Sequence, residues 1–233
     1  MSCWLLDAYT HVSYGGCHDK PDGLVSMSQP AQADPGAAAR RLFGLRDAPT
    51  DELAGQADAV AAACHAMAVR FHRGGRLVVF GTGGASTDAQ HVAVEFVHPV
   101  IVGKRALPAF ALTADVATVT GIAERDGIAA IFSHQLRYLA GPTDIALGIM
   151  TDGDSPSVLA GLETAGELGL LTVALTGGDG GQAAAKAADH VLVASSSDPR
   201  VVKEMHVTLY HVLWELVHVF FEQPGVLGPG VVT

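Results

Sequence analysis

The sequence is organised around residues 76–95, RLVVFGTGGASTDAQHVAVE. An apolar strand is predicted over residues 76–80, and the glycine-rich turn 81–86 leads from it into a helix that carries His91 and Glu95. A turn of this kind directs backbone N–H groups outward at the helix N-terminus, where they favour an anion. A histidine and a glutamate four residues apart lie on one helical face. The stretch therefore predicts an anion seat beside an acid/base or metal-binding pair, which is the plan of a site for small phosphorylated molecules.

The length and composition fit one α/β domain with a full core. The chain has 233 residues, of which 49% are hydrophobic and 16% are charged, so few charges are available to solvate the surface. This balance is typical of a chain that hides further surface in an oligomer, although an Ala- and Gly-rich composition gives similar numbers. The net charge of −10 argues against nucleic-acid binding, because that function needs a basic face.

Several features bear on where the protein resides. The cysteines Cys3, Cys17 and Cys64 match no metal-binding spacing and are interpreted as reduced thiols. The N-terminus lacks the basic and long apolar segments of a signal peptide. The most apolar stretch, residues 205–221, contains three histidines and a glutamate, so we predict a buried helix rather than a membrane span. Together these features predict a cytoplasmic protein with no membrane partner.

Beyond residue 50 the sequence alternates between apolar strands and helical stretches. The strands are apolar throughout, which is typical of a parallel sheet covered on both faces. Repeated βα units of this kind predict a doubly wound α/β sandwich, with ligands bound beyond the carboxyl ends of the strands. The predicted strands are residues 76–80, 109–112, 145–150, 171–175 and 191–194, and the predicted helices are residues 50–73, 88–98, 127–140, 155–168, 181–188 and 201–222.

The chain divides into three predicted segments. Residues 1–45 are rich in Gly, Pro, Asp and Ser and form an arm or linker, which is either irregular or packed on a neighbour through residues such as Trp4 and Tyr9. Composition favours the irregular arm. Residues 46–223 form the folded domain, and residues 224–233 form a frayed tail.

Four strings of sequence, in this order, carry a resemblance to a known family: GTGGASTDAQHVAVEF, RALPAFALTAD, TDGDSPSVLAGLETAGELGLLTVALTGGDGG and KEMHVTLYHVLWEL. Over residues 50–222 the chain is similar to the SIS (sugar isomerase) domain family, and most similar to its phosphoheptose isomerase group. The resemblance implies a three-layer α/β/α sandwich of the flavodoxin-like type, with a five-stranded parallel sheet and long N- and C-terminal helices. It also implies a homotetramer with sites between subunits, and conversion of sedoheptulose 7-phosphate, a small phosphorylated sugar, into an aldose phosphate.

The resemblance assigns chemical roles to three residues. Glu95 is the implied general base, His211 on the last helix is the implied general acid, and His91 is an implied metal or substrate ligand. Ketose–aldose isomerisation through an enediol needs such a base and an acid that works near pH 7. Some members hold zinc between these groups, so zinc bound by His91, Glu95 and His211 is a candidate cofactor that would polarise the carbonyl.

The resemblance further implies that substrate and phosphate are bound by Gly83, Gly84, Ser86, Thr151, Asp152, Ser155 and Arg125. The phosphate turn departs from the family pattern: where the isomerases read Ser-Thr-Ser-Gly-Asn-Ser, residues 150–155 read Met-Thr-Asp-Gly-Asp-Ser. A carboxylate beside a phosphate costs on the order of 1–4 kcal/mol of repulsion at surface-like dielectric. Arg125 is a candidate for restoring anion binding through a bidentate contact.

Lys203 replaces the glutamine that serves as a metal ligand in the family, and it precedes the matching Glu204. Two interpretations follow. Zinc retains three protein ligands and an open position, because a charged ammonium does not bind a metal ion. Alternatively, Lys203 takes the place of the metal and neutralises Glu95 directly.

Two functions fit the sequence. The first is an aldose–ketose isomerase that acts on sedoheptulose 7-phosphate or a related sugar phosphate. The second is a non-catalytic SIS module that binds a sugar phosphate, a nucleotide sugar or a protein partner as a scaffold or regulator. The acidic phosphate turn and the N-terminal arm favour the second function, while the retained Glu95 and His211 favour the first.

Overall fold

The computed structural model describes residues 34–223 and 225–228 of the chain. These residues form a sheet of five parallel strands in the order β2-β1-β3-β4-β5. The predicted five-stranded parallel sheet is confirmed, and each strand lies within two residues of its predicted bounds. The strands are β1 (Leu77–Gly81), β2 (Ala109–Ala111), β3 (Ile145–Ile149), β4 (Leu171–Gly177) and β5 (His190–Ala194).

Helices connect and cover these strands. A short 3₁₀ turn, Ile128–Ala130, precedes α6. The helices in the described part of the chain are α1 (Pro35–Gly44), α2 (Asp47–Gly55), α3 (Ala57–His72), α4 (Gly84–Val97), α5 (Val116–Asp126), α6 (Ile131–Leu139), α7 (Pro156–Glu167), α8 (Gln182–Ala187) and α9 (Pro199–Glu222).

The side chains of β1 point alternately into two apolar layers. Leu77 and Val79 pack with residues of α2, α3, α4 and α9 on one face of the sheet. Val78 and Phe80 pack with residues of α5, α6, α7 and α8 on the other face. Because strand side chains alternate between faces, apolar strands of this kind need helices on both sides. The predicted three-layer α/β/α sandwich is therefore confirmed.

The order of the strands places two turns side by side. After β1 the chain moves to one side of the sheet to form β2, and it then returns to the other side to form β3. Gly81 at the end of β1 pairs with Ile149 at the end of β3. Ligands of open α/β sheets bind beyond the carboxyl ends of the strands at such a switch point.

Helix α9 closes the fold and packs against α3 and α4. Its N-terminus is capped by the side chain of Asp198, and a proline at its first position suits a helix start. The two buried histidines His206 and His218 each lie 2.9 Å from a backbone carbonyl oxygen through Nε2. These two histidines therefore help to attach α9 to the rest of the domain.

Three helical segments differ from the prediction. The arm predicted over residues 1–45 is helical at Pro35–Gly44, where an aspartate cap and a first-position proline start α1. The single helix predicted over residues 50–73 is two helices, interrupted at Gln56, whose amide bonds the backbone of β5. Helix α5, Val116–Asp126, was not predicted and begins at another aspartate cap.

The predicted tail 224–233 and the arm residues 1–33 lie mostly or wholly outside the described residues. Within the described part of the chain, every helix falls short of the length or the apolar character that a bilayer crossing would need.

Candidate active site between two helices

The site combines side chains from α4 and α9. His91 and Glu95 lie on the same face of α4, and His211 faces them from α9. One potential ligand atom from each residue lies within 4.8 Å of the other two. His91 Nε2 is 3.2 Å from Glu95 Oε1, and the ring centroids of His91 and His211 are 5.2 Å apart. The structure thus brings together the three residues that the sequence assigned to proton transfer and metal binding.

These three residues differ in their access to solvent. The Glu95 residue is buried, at 8% exposure, whereas His91 is half-buried and His211 is exposed. The Glu95 carboxylate is therefore largely shielded from bulk water, whereas the His211 imidazole is open to it. The arrangement can therefore offer a bound molecule a buried carboxylate as a base and a solvent-exposed imidazole.

Tyr210, on α9, is a fourth residue of the site, and the sequence analysis missed it. Its hydroxyl is 2.8 Å from His91 Nδ1, and its ring packs edge-on against both imidazoles. Burial raises the pKa of the Tyr210 hydroxyl above its usual value, with a further contribution from Asp88 and Glu95. Tyr210 falls at the spacing of core residues in the last helix, so its sequence position gave no sign of this contact.

Lys203 pairs with Asp88 on α4 instead of contacting Glu95. Its ammonium is 2.7 Å from each carboxylate oxygen of Asp88 and 3.0 Å from the carbonyl oxygen of Gly84. The interpretation in which Lys203 neutralises Glu95 is therefore wrong, because the ammonium is held one helical turn or more away along α4. Glu204, next in sequence, binds Arg46 through two hydrogen bonds of 2.6 and 2.8 Å.

The glycine turn after β1 is tied to the turn after β3. The hydroxyls of Thr82 and Ser155 are 3.3 Å apart. Gly83 has a φ of 58°, a conformation that a side chain would disfavour, and it starts α4. The Ser86 hydroxyl donates to the Gly83 carbonyl oxygen at 2.7 Å, so this hydroxyl is engaged inside the turn. Gly84 follows and carries the carbonyl that Lys203 binds.

The acidic turn after β3 has a defined shape. The Asp152 carboxylate accepts a hydrogen bond from the Asp154 N–H at 3.2 Å, and both residues are exposed. Gly153 has a φ of 78° and packs on Gly180, where a Cβ would lie 2.6 Å from the carbonyl oxygen. The side chain of Met150 is buried in the second apolar layer. Met150 is thus a core residue, and only the two aspartates make the turn acidic.

Of the remaining residues predicted to bind phosphate, two lie on the turn after β3 and Arg125 lies away from it. Thr151 and Ser155 lie on the turn itself, and the Ser155 hydroxyl is 3.4 Å from that of Ser157. Arg125, at the end of α5, donates to the adjacent Asp126 at 3.0 and 2.8 Å. Within the described residues, the structure gives no hydrogen bond between Arg125 and either turn.

The three ligand atoms fit a zinc ion in kind, and one of their separations is that of neighbouring zinc ligands. Zinc takes imidazole nitrogen and carboxylate oxygen at about 2.0–2.2 Å, so neighbouring ligands in a tetrahedron lie about 3.4 Å apart. The 3.2 Å between His91 Nε2 and Glu95 Oε1 is close to this separation. His91, Glu95 and His211 can therefore hold such an ion after small side-chain adjustments.

The sequence model described as the SIS domain matches residues 48–177, which is more than half of the chain. The chain belongs to the SIS domain family. The match covers β1, α4 and the turn after β3, and it ends at the last residue of β4.

Relatives of this SIS domain include proteins named phosphoheptose isomerase. The one from Solidesulfovibrio magneticus is 41% identical over 174 residues, which cover 74% of this chain and 84% of that protein. The one from Aquifex aeolicus is 40% identical over 151 residues, which cover 65% of this chain and 78% of that protein. The resemblance to the phosphoheptose isomerase group is confirmed.

The solved structures similar to this chain also include a phosphoheptose isomerase. A phosphoheptose isomerase from Francisella tularensis is 30% identical with a TM-score of 0.74, covering 80% of this chain and 100% of that one. The sugar isomerase domain of an RpiR transcription factor from Sphaerobacter thermophilus is 21% identical with a TM-score of 0.55, covering 81% and 93%. This second likeness shows the fold alone.

Proposed function

We propose that this SIS domain is a phosphosugar aldose–ketose isomerase of the sedoheptulose 7-phosphate type. The observation that carries the proposal is the meeting of a buried glutamate on α4 with an exposed histidine on α9. The relatives named phosphoheptose isomerase support the reaction class and the substrate class.

The proposed reaction uses Glu95 and His211 as its two proton carriers. Glu95 takes a proton from C1 of the ketose, the electron pair of that bond forms the C1=C2 double bond of an enediol, and the C2 carbonyl oxygen gains a proton. His211 then delivers a proton to C2, and the C1 hydroxyl loses its proton to give the aldehyde; this lost proton balances the one that the C2 oxygen gained, so the sugar has the same number of protons before and after. Burial keeps Glu95 from being fully hydrated, and His91 is within hydrogen-bond reach of its carboxylate.

The proposed phosphate seat uses the turns after β1 and β3. Gly83 and Gly84 at the start of α4, with Thr151 and Ser155 before α7, place backbone and hydroxyl groups at two helix N-termini. The aspartates at 152 and 154 oppose a phosphate there, so we expect weaker binding than a seat of hydroxyls and amides would give.

We further propose zinc as the cofactor, held by His91, Glu95 and His211. When bound, such an ion polarises the substrate carbonyl. Because Lys203 is paired with Asp88, the three ligands leave a coordination position free for the substrate.

A homotetramer with sites between subunits is part of the proposal. Three valines beside the site are exposed, namely Val94 and Val97 on α4 and Val212 on α9. Apolar side chains next to a polar site are suited to being covered by a neighbouring subunit. Size measurement in solution by light scattering tests this assembly.

The test of the reaction is substitution of Glu95 by Gln. With sedoheptulose 7-phosphate in deuterated water, proton NMR of the wild type should show deuterium entering the substrate and aldose product. The Glu95→Gln variant should lose 10²- to 10⁴-fold in rate with little change in melting temperature. Glu167→Gln, at the exposed end of α7, is the matched control and should keep the wild-type rate. A Glu95→Gln variant with wild-type turnover would reject the assignment.

The alternative proposal is a non-catalytic SIS module that binds a sugar phosphate, a nucleotide sugar or a protein partner as a scaffold or regulator. The two exposed carboxylates of the phosphate turn favour it, because they oppose binding of the isomerase substrate. Under this proposal the wild type shows a thermal shift with a ligand but no deuterium exchange, with or without zinc.

A further inference from the structure

A second cavity lies beside β2, on the side of the sheet that α5 and α6 cover. Its volume is about 440 Å³, which is within the range of about 300–1,000 Å³ that small-molecule pockets occupy. The described residues that line this β2 cavity come from β2, the loop after it, α5 and α6, and none of them belongs to the candidate site on α4 and α9. The β2 cavity is therefore a separate feature of the domain.

The walls of the β2 cavity carry three aromatic rings, those of Phe110 on β2 and of His134 and Tyr138 on α6. The rings of the last two are 5.2 Å apart between centroids, and Tyr138 is 78% exposed. The Phe110 ring already lies 5.5 Å from the guanidinium carbon of Arg76, whose charge is balanced by Asp144 at 2.8 Å. Because the face of an aromatic ring attracts cations, walls of this kind suit an organic cation with an apolar stem.

Gln135 presents an unpaired hydrogen-bond acceptor to the β2 cavity. This residue is only 5% exposed, and its amide nitrogen donates to the carbonyl oxygens of Leu112 at 3.1 Å and Ile131 at 2.8 Å. These two bonds fix the orientation of the amide, because the reverse orientation would place its oxygen against two carbonyl oxygens. Among the described residues no donor bonds this oxygen, and the fully buried side-chain atoms without a partner are Thr176 Oγ1 and Trp214 Nε1. The Gln135 oxygen is therefore not sealed in the core, and it is open to a donor from a molecule bound in the cavity that this residue lines.

Asp115 adds a negative charge to the lining of the β2 cavity. Its carboxylate caps α5 and accepts hydrogen bonds from the Thr118 hydroxyl at 2.6 Å and from the Thr118 N–H at 3.1 Å. These bonds, the one from the hydroxyl first, hold the pKa of Asp115 below its usual value, so the carboxylate is charged at neutral pH. A carboxylate has about four acceptor positions, so Asp115 can still accept from a further donor. The net charge of −10 on the chain also favours a cation over an anion at such a site.

We propose that the β2 cavity binds a primary organic ammonium group. The ammonium donates to the Gln135 amide oxygen and the Asp115 carboxylate, and its carbon stem packs on the aromatic walls. An ammonium has three donors and no acceptor, which suits these two acceptors, whereas a carboxylate or phosphate ligand would be repelled by Asp115. The same group occurs on a free aliphatic amine and on a lysine side chain. The site does not depend on the proposed isomerase function.

The first test compares two ligands with the same stem on the full chain. Pentylammonium carries the proposed group, and 1-pentanol lacks the charge. Saturation-transfer NMR should give a dissociation constant about tenfold lower for pentylammonium than for 1-pentanol, and added salt should reduce this difference because it screens the charge of Asp115. Equal dissociation constants, or no binding of pentylammonium, would overturn the proposal.

The second test locates the binding with matched variants. Asp115→Asn removes the charge but keeps the cap, because asparagine caps a helix as well as aspartate does. It should raise the dissociation constant for pentylammonium about fivefold, and Tyr138→Ala should raise it about threefold. Asp34→Asn removes the carboxylate that caps α1 and is the control expected to bind as the wild type does. Melting temperatures show that each variant is folded, and an Asp115→Asn variant that binds as tightly as Asp34→Asn would overturn the assignment.

A third ligand distinguishes the two sources of the ammonium group. Nα-acetyl-lysine methylamide has the same group on a stem that ends in a peptide backbone. Binding as tight as that of pentylammonium identifies a lysine side chain as an occupant, and much weaker binding identifies a free amine; either result supports the site. Because the readout is binding, a protein without isomerase activity gives the same answer, and a failure to bind amines leaves the proposed function standing.

Discussion

The ion pair between Lys203 and Asp88 offers a quantitative test of how α9 is attached to α4. The Lys203 ammonium lies 2.7 Å from both carboxylate oxygens of Asp88. The Asp88 side chain is only 7% exposed, whereas the Lys203 side chain is 44% exposed. Substitution of Lys203 by Met therefore leaves the nearly buried Asp88 carboxylate without its cation.

The expected loss lies between two limits. Removing one partner from a fully buried pair costs about 3–5 kcal/mol, whereas an exposed pair contributes about 0–1 kcal/mol. Because one partner is buried and the other is half-exposed, we expect Lys203→Met to lower the free energy of unfolding by about 2–3 kcal/mol. For a domain of this size such a loss lowers the melting temperature by about 5–10 °C.

A double-mutant cycle separates the effect of the unpaired Asp88 charge on stability from the effect of the packing lost with Lys203. Lys203→Met combined with Asp88→Asn removes both charges, so the double variant should be more stable than Lys203→Met alone. Thermal and urea unfolding of the four proteins measure this coupling, and Lys186→Met on the exposed face of α8 is a control expected to stay within about 0.5 kcal/mol of wild type. The reasoning is refuted if Lys203→Met has the melting temperature of the wild type, or if the double variant is less stable than Lys203→Met.

Three further predictions concern binding and pH. Replacing Asp152 by Ser and Asp154 by Asn should strengthen inhibition by inorganic phosphate at least fivefold, because about 1 kcal/mol or more of repulsion is removed; unchanged inhibition would show that the turn does not bind phosphate. His91→Ala should lower the zinc retained after dialysis at least tenfold relative to wild type, measured by elemental analysis, and equal zinc content would exclude the proposed ligand set. Burial opposes ionisation of Asp144, but hydrogen bonds from Arg76 and from backbone N–H groups hold its pKa below the usual value. The stability that this carboxylate contributes is therefore present above about pH 4 and is lost as the pH falls through the lowered pKa. The urea midpoint of Asp144→Asn should accordingly vary less between pH 5 and pH 2 than that of the wild type, and parallel profiles would contradict this.

The strands of the fold were predictable because their sequence signals are strong. Runs such as 145–149 are uninterrupted apolar segments bounded by polar turns, and each becomes a buried parallel strand. The helix Val116–Asp126 escaped prediction because it contains valine, threonine and glycine, which are weak helix formers, and because packing of residues such as Ile122 on the sheet decides its conformation. The start of α1 carried a readable signal, an aspartate followed by proline, but its glycine and alanine content resembled a linker.

The candidate site was predictable only in part, for a different physical reason. The spacing of His91 and Glu95 indicates a shared helical face, whereas the partnership with His211 came from resemblance, because no local pattern brings two distant helices together. The contacts of Lys203 with Asp88 and of Tyr210 with His91 depend on how α4 and α9 pack. Side-chain pairs across helices leave no mark in the spacing of a single sequence.

The two helices that form the site are separated by more than a hundred residues, and the later one is the last helix of the described chain. Until α9 has been synthesised, the residues of α4 that face it, His91, Glu95 and Asp88, lack His211, Tyr210 and Lys203. The candidate site is therefore complete only when α9 has docked against α4.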